Sequence, residues 1–318
     1  MTGEPMDVRR HYERWPFPAA DHSGREGFML VRRLAEWCSE AGARPGPPRV
    51  LDAGCGTGHT TVALARRFAG VEFVGIDLSR NSIDIARELA ESSDVENVRF
   101  EIADLSADAA PDTDLSADAA PDMLEPGSFR AVLALGVLHH VPDRDAALDN
   151  LVRALEPGGR LGLWMYGVHG RRAHALHQRF VRLLAGPEAD EEELERAGRA
   201  FVEGLGDRYL SGSGVYIPAE AEAGPAAWLV DHPGWLADQL LPAFERAVDL
   251  ETIFALLDAR GLVLEHWLGV PEAAERWTAH PVLLERMEHL ERRDRLRAIE
   301  CLLKPPYYFV VARRDGRE

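Results

Sequence analysis

Hydrophobic positions follow two periods along most of the chain. From Gly27 to Ala41, Met29, Leu30, Leu34 and Trp37 recur at helical spacing and predict an amphipathic helix. Arg44-Pro45-Gly46-Pro47-Pro48 ends it, because proline removes an amide donor and restricts the residue before it. Short apolar runs then alternate with helical patterns. Strands are expected at Arg49–Ala53, Val71–Ile76, Val98–Ala103, Phe129–Leu135 and Arg160–Tyr166. Helices are expected at Thr60–Phe68, at Asn81–Glu91 with Ser79 or Asn81 as cap, and at Asp143–Leu155. Glu156-Pro157-Gly158-Gly159 stops the last of these. Near the C-terminus come a helix Leu250–Arg260 closed by Gly261, a strand Leu262–Leu268, a helical stretch Leu283–Leu302 and a strand Tyr307–Arg313. Such alternation predicts an α/β fold: a Rossmann-like, doubly wound, mostly parallel sheet with helices on both faces. Each crossover is expected to be right-handed.

Four segments follow from the pattern. Residues 1–48 are a lead-in in which Tyr12-Glu13-Arg14-Trp15-Pro16-Phe17-Pro18 forms an aromatic, proline-rich flap before the helix. Residues 49–166 are the α/β core. Residues 167–249, with Glu188 to Glu195 acidic and Ser211-Gly212-Ser213-Gly214 flexible, are too long for a plain loop and are expected to form a helical cap or lid. Residues 250–318 complete the core and carry a helical insertion. A nine-letter segment, DLSADAAPD, occurs at 104–112 and again at 114–122. Two short copies fit a duplication in a surface loop rather than a solenoid.

Charge narrows the function. The 36 Lys+Arg against 53 Asp+Glu leave a formal net charge of −17. Nucleic-acid binders need clustered cations, so this class is disfavoured. No apolar run is long enough to span a bilayer, and the N-terminus lacks the apolar region of a secretory signal. Cys38, Cys55 and Cys301 are few and far apart, which fits a cytoplasmic setting and disfavours a disulfide framework or a zinc site. His174 and His177 are spaced i, i+3, but no third ligand is evident; solvated histidines are expected there, and no metal site.

The chemistry concentrates in Val50-Leu51-Asp52-Ala53-Gly54-Cys55-Gly56-Thr57-Gly58, which follows a strand and opens a helix. Glycines let the backbone turn sharply and approach a ligand, and the helix N-terminus offers free N–H groups. Asp77 ends the next strand, where an acidic residue can hold ribose hydroxyls. A dinucleotide fingerprint would be G-x-G-x-x-G, whereas here His59 occupies the third glycine position. Asp52 precedes the turn, and a carboxylate suits an amino group better than a pyrophosphate.

Together with Ala103-Asp104-Leu105, Leu135-Gly136-Val137-Leu138-His139-His140 and Leu155-Glu156-Pro157-Gly158-Gly159, this series resembles the class I S-adenosylmethionine-dependent methyltransferase family over residues 49–166. The resemblance implies S-adenosylmethionine as cofactor and S-adenosylhomocysteine as its product form. It implies that Gly54, Cys55, Gly56, Leu135 and Gly136 border the methionine part and that Asp52 orients its amino group. It implies that Asp77 binds the ribose, Leu78 packs on adenine, and Asp104 with the Leu105 N–H reads the adenine edge. Asp114 duplicates Asp104, and the first copy is preferred because it directly follows the strand.

Methyl transfer needs alignment, and some acceptors also need a base. His139 and His140, past the fourth strand, are the catalytic candidates. Tyr12 and Trp15 in the flap, and Tyr166 and His169 after the fifth strand, are candidates for acceptor contact. A small-molecule acceptor methylated on O, N or C is expected, since a cap would exclude water. Alternatives are methylation of a peptide or protein, or cofactor binding without methyl transfer. The oligomeric state has no signature in the sequence.

Overall fold

A computed structural model describes residues 7–18, 25–40, 46–107, 124–218, 221 and 224–315. Helix α1 (Val8–Arg14) and helix α2 (Arg25–Ser39) precede the sheet. The first half of the core runs β1 (Arg49–Ala53), α3 (His59–Arg67), β2 (Glu72–Asp77), α4 (Arg80–Ser92) and β3 (Val98–Ile102). Strand β4 (Phe129–Leu135), α5 (Arg144–Ala154) and β5 (Leu155–Tyr166) follow. Four helices then leave the sheet: α6 (Arg172–Ala185), α7 (Glu191–Leu210), α8 (Pro225–Asp231) and α9 (Pro233–Leu240). The chain returns through α10 (Leu250–Asp258), β6 (Leu262–Trp267), α11 (Pro281–Glu288), α12 (Arg292–Leu303) and β7 (Tyr307–Arg314).

Among the described residues the sheet has seven strands in the order β3-β2-β1-β4-β5-β7-β6. Only β7 runs antiparallel to its neighbours. The order reverses between β1 and β4, and in open α/β sheets ligands bind at the carboxyl ends of the strands at such a reversal. Both faces are covered, so the central strands read as nearly unbroken apolar runs. Leu51, Val132, Leu161 and Val310 pack toward α5 and α10 on one face. Val50, Leu133, Trp164 and Phe309 pack toward α2 and α3 on the other.

Local chemistry sets the helix starts. The Ser79 hydroxyl accepts the Ser82 N–H at 3.1 Å and caps α4. Asp143 caps α5 through the Ala146 N–H. Asp190 and Glu193 form a reciprocal capping box on α7. Helices α6 to α9 enclose an apolar cluster of their own, including Phe201, Leu229, Trp235 and Leu240, against which Phe17 of the flap packs.

Two expectations change. Strand β5 begins at Leu155 rather than Arg160, because buried Glu156 pairs with Arg130 of β4 and draws the chain alongside it, with a bulge between. The helical stretch 283–302 is two helices. Arg292 binds Glu272 and the carbonyls of Leu264 and Glu265, which turns the chain at that point. The second copy of the repeat, with Asp114, lies outside the described residues. No helix among the described residues is long and apolar enough to cross a membrane.

Candidate cofactor and acceptor cavity

A cavity of about 560 Å³ opens at the carboxyl ends of β1, β2, β4 and β5 and extends beneath α9. This is within the range of small-molecule sites. Its floor at the reversal point is the glycine turn. Gly54 sits at φ +71°, and a Cβ there would meet Val137 at 2.4 Å. Gly56 sits at φ +52°, and a Cβ would meet the Phe17 carbonyl oxygen at 2.0 Å. Only glycine satisfies both the left-handed backbone and the close approach.

Asp77 holds this turn from the neighbouring strand. One carboxylate oxygen accepts the Gly56 N–H at 2.9 Å and the other accepts the Ser79 N–H at 2.9 Å. Burial pushes its carboxyl up, and the two N–H groups partly offset that. Asp52 lies deeper and is 3% exposed. Its Oδ2 accepts the Thr61 hydroxyl at 2.6 Å. Burial raises this carboxyl to about 6; the Thr61 hydrogen bond opposes the shift and nearby Asp77 adds to it. A cation placed beside Asp52 would oppose that shift by favouring the charged carboxylate.

At the far end, Asp104 spends one oxygen, Oδ1, on the Ser106 N–H and hydroxyl, at 2.8 and 2.7 Å. The loop is pinned by Asn150, whose amide donates to the carbonyls of Leu105 and Ala107 at 2.9 and 3.0 Å. Cys55, Leu78, Leu105, Leu135 and Gly136 complete the walls around these groups. The residues expected to bind the cofactor thus all border one space. A carboxylate pair at the glycine turn, apolar walls and the Asp104 carboxylate beyond them line this one cavity.

The acceptor candidates divide. Tyr12, His140 and Tyr166 border the cavity. Trp15, His169 and His139 do not. Trp15 packs against His11, and the Arg14 guanidinium lies over its ring. His169 is partly exposed and lies 3.8 Å from Glu300, on the side of α12. His139 is fully buried behind the wall, 4.0 Å between ring centroids from Tyr166. Burial and the neighbouring His140 hold it well below the usual imidazole range, so it is neutral. His140 Nδ1 lies 2.8 Å from the Phe244 carbonyl oxygen. A carbonyl only accepts, so Nδ1 carries the proton of that contact, and Nε2 lies 3.7 Å from Asp238 Oδ1. The i, i+3 pair is also corrected: His174 is fully buried, and its Nε2 lies 2.8 Å from the Gln239 carbonyl oxygen.

Sequence reasoning missed Asp238. It projects from α9 into the cavity and is 4% exposed. The Tyr12 hydroxyl donates to its Oδ1 at 3.1 Å, and the Gln239 side chain to its Oδ2 at 2.6 Å. The Tyr166 hydroxyl lies 3.4 Å from Oδ2. Burial, reinforced by Asp238, keeps both phenols protonated. Gln239 is fixed in turn by Arg171, which ion-pairs with Glu245 at 2.9 Å and lies over the Tyr166 ring. Phe17, Trp164, Tyr216 and Trp235 also border this end. The available signal was the pair Asp238-Gln239 inside the apolar run Trp235 to Leu240.

A model of the family "Methyltransferase domain" matches residues 51–161. Those residues carry a methyltransferase domain, and the match supports the resemblance to the class I S-adenosylmethionine-dependent methyltransferases. The family's cofactor is S-adenosylmethionine, and the cavity's donor set fits it. Methyltransferase GfsG of Streptomyces halstedii is 32% identical over 155 residues, covering 48% of this chain and 49% of that protein. The 27-O-demethylrifamycin SV methyltransferase of Amycolatopsis mediterranei (strain S699) is 33% identical over 155 residues, covering 48% and 47%. The chain spans about half the length of these curated relatives. The solved structure of PKMT2 from Rickettsia typhi in complex with AdoHcy shares the fold, with a TM-score of 0.66 and 15% identity, over 95% of this chain and 56% of that one.

Proposed function

We propose that this methyltransferase acts on a small-molecule acceptor bound beneath helices α6 to α9. The supporting observation is continuity. One cavity joins the glycine turn to an aromatic chamber roofed by α9 and walled by α1. S-adenosylmethionine supplies a methyl group on a positively charged sulfur, already activated for in-line displacement by a lone pair of the acceptor. The protein's residues have the remaining tasks. Asp52 and the glycine turn hold the amino acid end, Asp77 the ribose, and Leu78, Asp104 and Leu105 the base. Leu135 and Gly136 line the wall between the two halves. Tyr12, Tyr166 and the roof exclude water and align the acceptor. His140 Nε2 takes a proton from acceptors that must lose one. His139 is a positioning residue: its ring packs on His140 and Tyr166.

The curated relatives include a methyltransferase named for a rifamycin and one named for ubiquinone biosynthesis. Their names support a small-molecule acceptor. The test is transfer of a labelled methyl group to panels of small amines, phenols and carboxylates beside peptides and whole-cell protein. Label in the low-mass fraction is the expected result. Label confined to peptide or protein, or none in any panel while S-adenosylhomocysteine binds, contradicts the proposal.

A further inference from the structure

Among the described residues, the acceptor end of the cavity holds a buried carboxylate, Asp238, with neutral donors around it and no Arg or Lys nitrogen within 4.0 Å of its oxygens. Tyr12, Tyr166 and Gln239 donate or lie near Asp238, and all are uncharged. Among the described residues, the one basic side chain within 4.0 Å of its oxygens is His140, at 3.7 Å. The nearby guanidinium of Arg171 is spent on Glu245, Gln239 and the Gly214 carbonyl. A carboxylate removed from water without a cation is costly, and a ligand that brings one regains that cost.

The walls point the same way. Tyr12, Phe17, Trp164, Tyr166, Tyr216 and Trp235 border this end. Aromatic faces attract cations through the ring quadrupole, most strongly when desolvated. Asp238 Oδ1 and His140 Nε2 lie 3.7 Å apart on this wall. A carboxylate only accepts hydrogen bonds, and a primary or secondary ammonium brings it at least two donors and the opposite charge, where a hydroxyl brings one donor and no charge.

From this arrangement we infer that the acceptor is an amine, held as its ammonium between Asp238 and His140 and enclosed by the aromatic walls. This rests on the proposed methyl transfer beneath the cap. Asp238 sets the specificity and His140 prepares the nucleophile. Nε2 takes one proton from the ammonium, the N–H bonding pair stays on nitrogen, and the resulting neutral amine faces the methyl donor. The methylated product is again an ammonium, so Asp238 holds substrate and product alike.

The test uses the whole chain saturated with S-adenosylhomocysteine and reads quenching of the tryptophans that border the site. The probes are 2-phenylethylammonium and its uncharged counterpart, 2-phenylethanol. The ammonium is expected to bind at least about tenfold tighter than the alcohol. Asp238→Asn keeps the shape, and is expected to erase that preference while leaving S-adenosylhomocysteine affinity within about twofold. Equal affinity for the two probes, tighter binding of the alcohol, no binding of the ammonium, or a preference that survives in Asp238→Asn overturns the inference. Binding of S-adenosylhomocysteine is the separate control: its loss in the unmodified protein removes the cofactor assignment itself, whereas its presence confines any failure to the amine.

Discussion

Asp52 carries the most direct pH prediction. Burial raises its carboxyl to about 6, against an ordinary value of 3.8. The folded, ligand-free chain therefore binds more protons at this group than the unfolded chain does between those pH values. By linkage, this group's contribution to stability falls as pH rises through that window. A ligand ammonium reverses the balance by favouring the charged carboxylate. S-adenosylhomocysteine affinity is expected to be flat above pH 7 and to weaken by up to about tenfold per unit below pH 6. Asp52→Asn should bind more weakly and flatten that dependence, which calorimetry across pH measures. Gly56→Ala is a second residue-scale case. Its Cβ would collide with the Phe17 carbonyl at a left-handed backbone position. It is expected to reduce cofactor affinity at least about tenfold, because the turn and the flap cannot both keep their positions.

At the scale of elements, α1 is a strap between core and cap. Glu13 accepts the N–H groups of Arg80 and Asn81 at 2.6 and 3.1 Å, at the start of α4. Thr57 donates its hydroxyl to the Pro18 carbonyl at 2.7 Å. On the other side, Arg14 meets Glu191 and Glu195 of α7. Glu13→Ala removes a cap worth about 1 kcal/mol and should loosen the strap. Tryptic cleavage at Arg9, Arg10 and Arg14 is expected to speed up in that variant and to slow again with S-adenosylhomocysteine. Unchanged cleavage would mean that α1 is held by its aromatic packing alone. The core elements were legible because local rules dictate them: glycine turns, a Ser79 cap and apolar runs at period two. The acceptor end was not. Asp238, Tyr216 and Trp235 reach the site only through the packing of α6 to α9, and sequence spacing carries no trace of that approach. Trp15 and His169 lie off the cavity for a related reason. Adjacency to Tyr12 or to the end of β5 does not determine which side of the backbone a side chain leaves.

For the whole molecule, the cavity spans both halves of the chain, so its ligand couples them. Residues from α1, four sheet strands and α9 share one wall. S-adenosylhomocysteine at about a hundred times its Kd is expected to stabilise the folded chain by about 2.7 kcal/mol. Thermal unfolding should shift upward as one transition; a shift confined to part of the melt would mean that the cap folds independently. In the proposed assignment the glycine turn and Asp77 hold S-adenosylmethionine. Calorimetric titration of the unmodified chain and of Asp77→Ala with S-adenosylmethionine and S-adenosylhomocysteine tests it most directly. Binding of both ligands, weakened at least about tenfold or ~1.4 kcal/mol in the variant, is the predicted result. No binding of either ligand to the unmodified chain, or equal binding to Asp77→Ala, would contradict it.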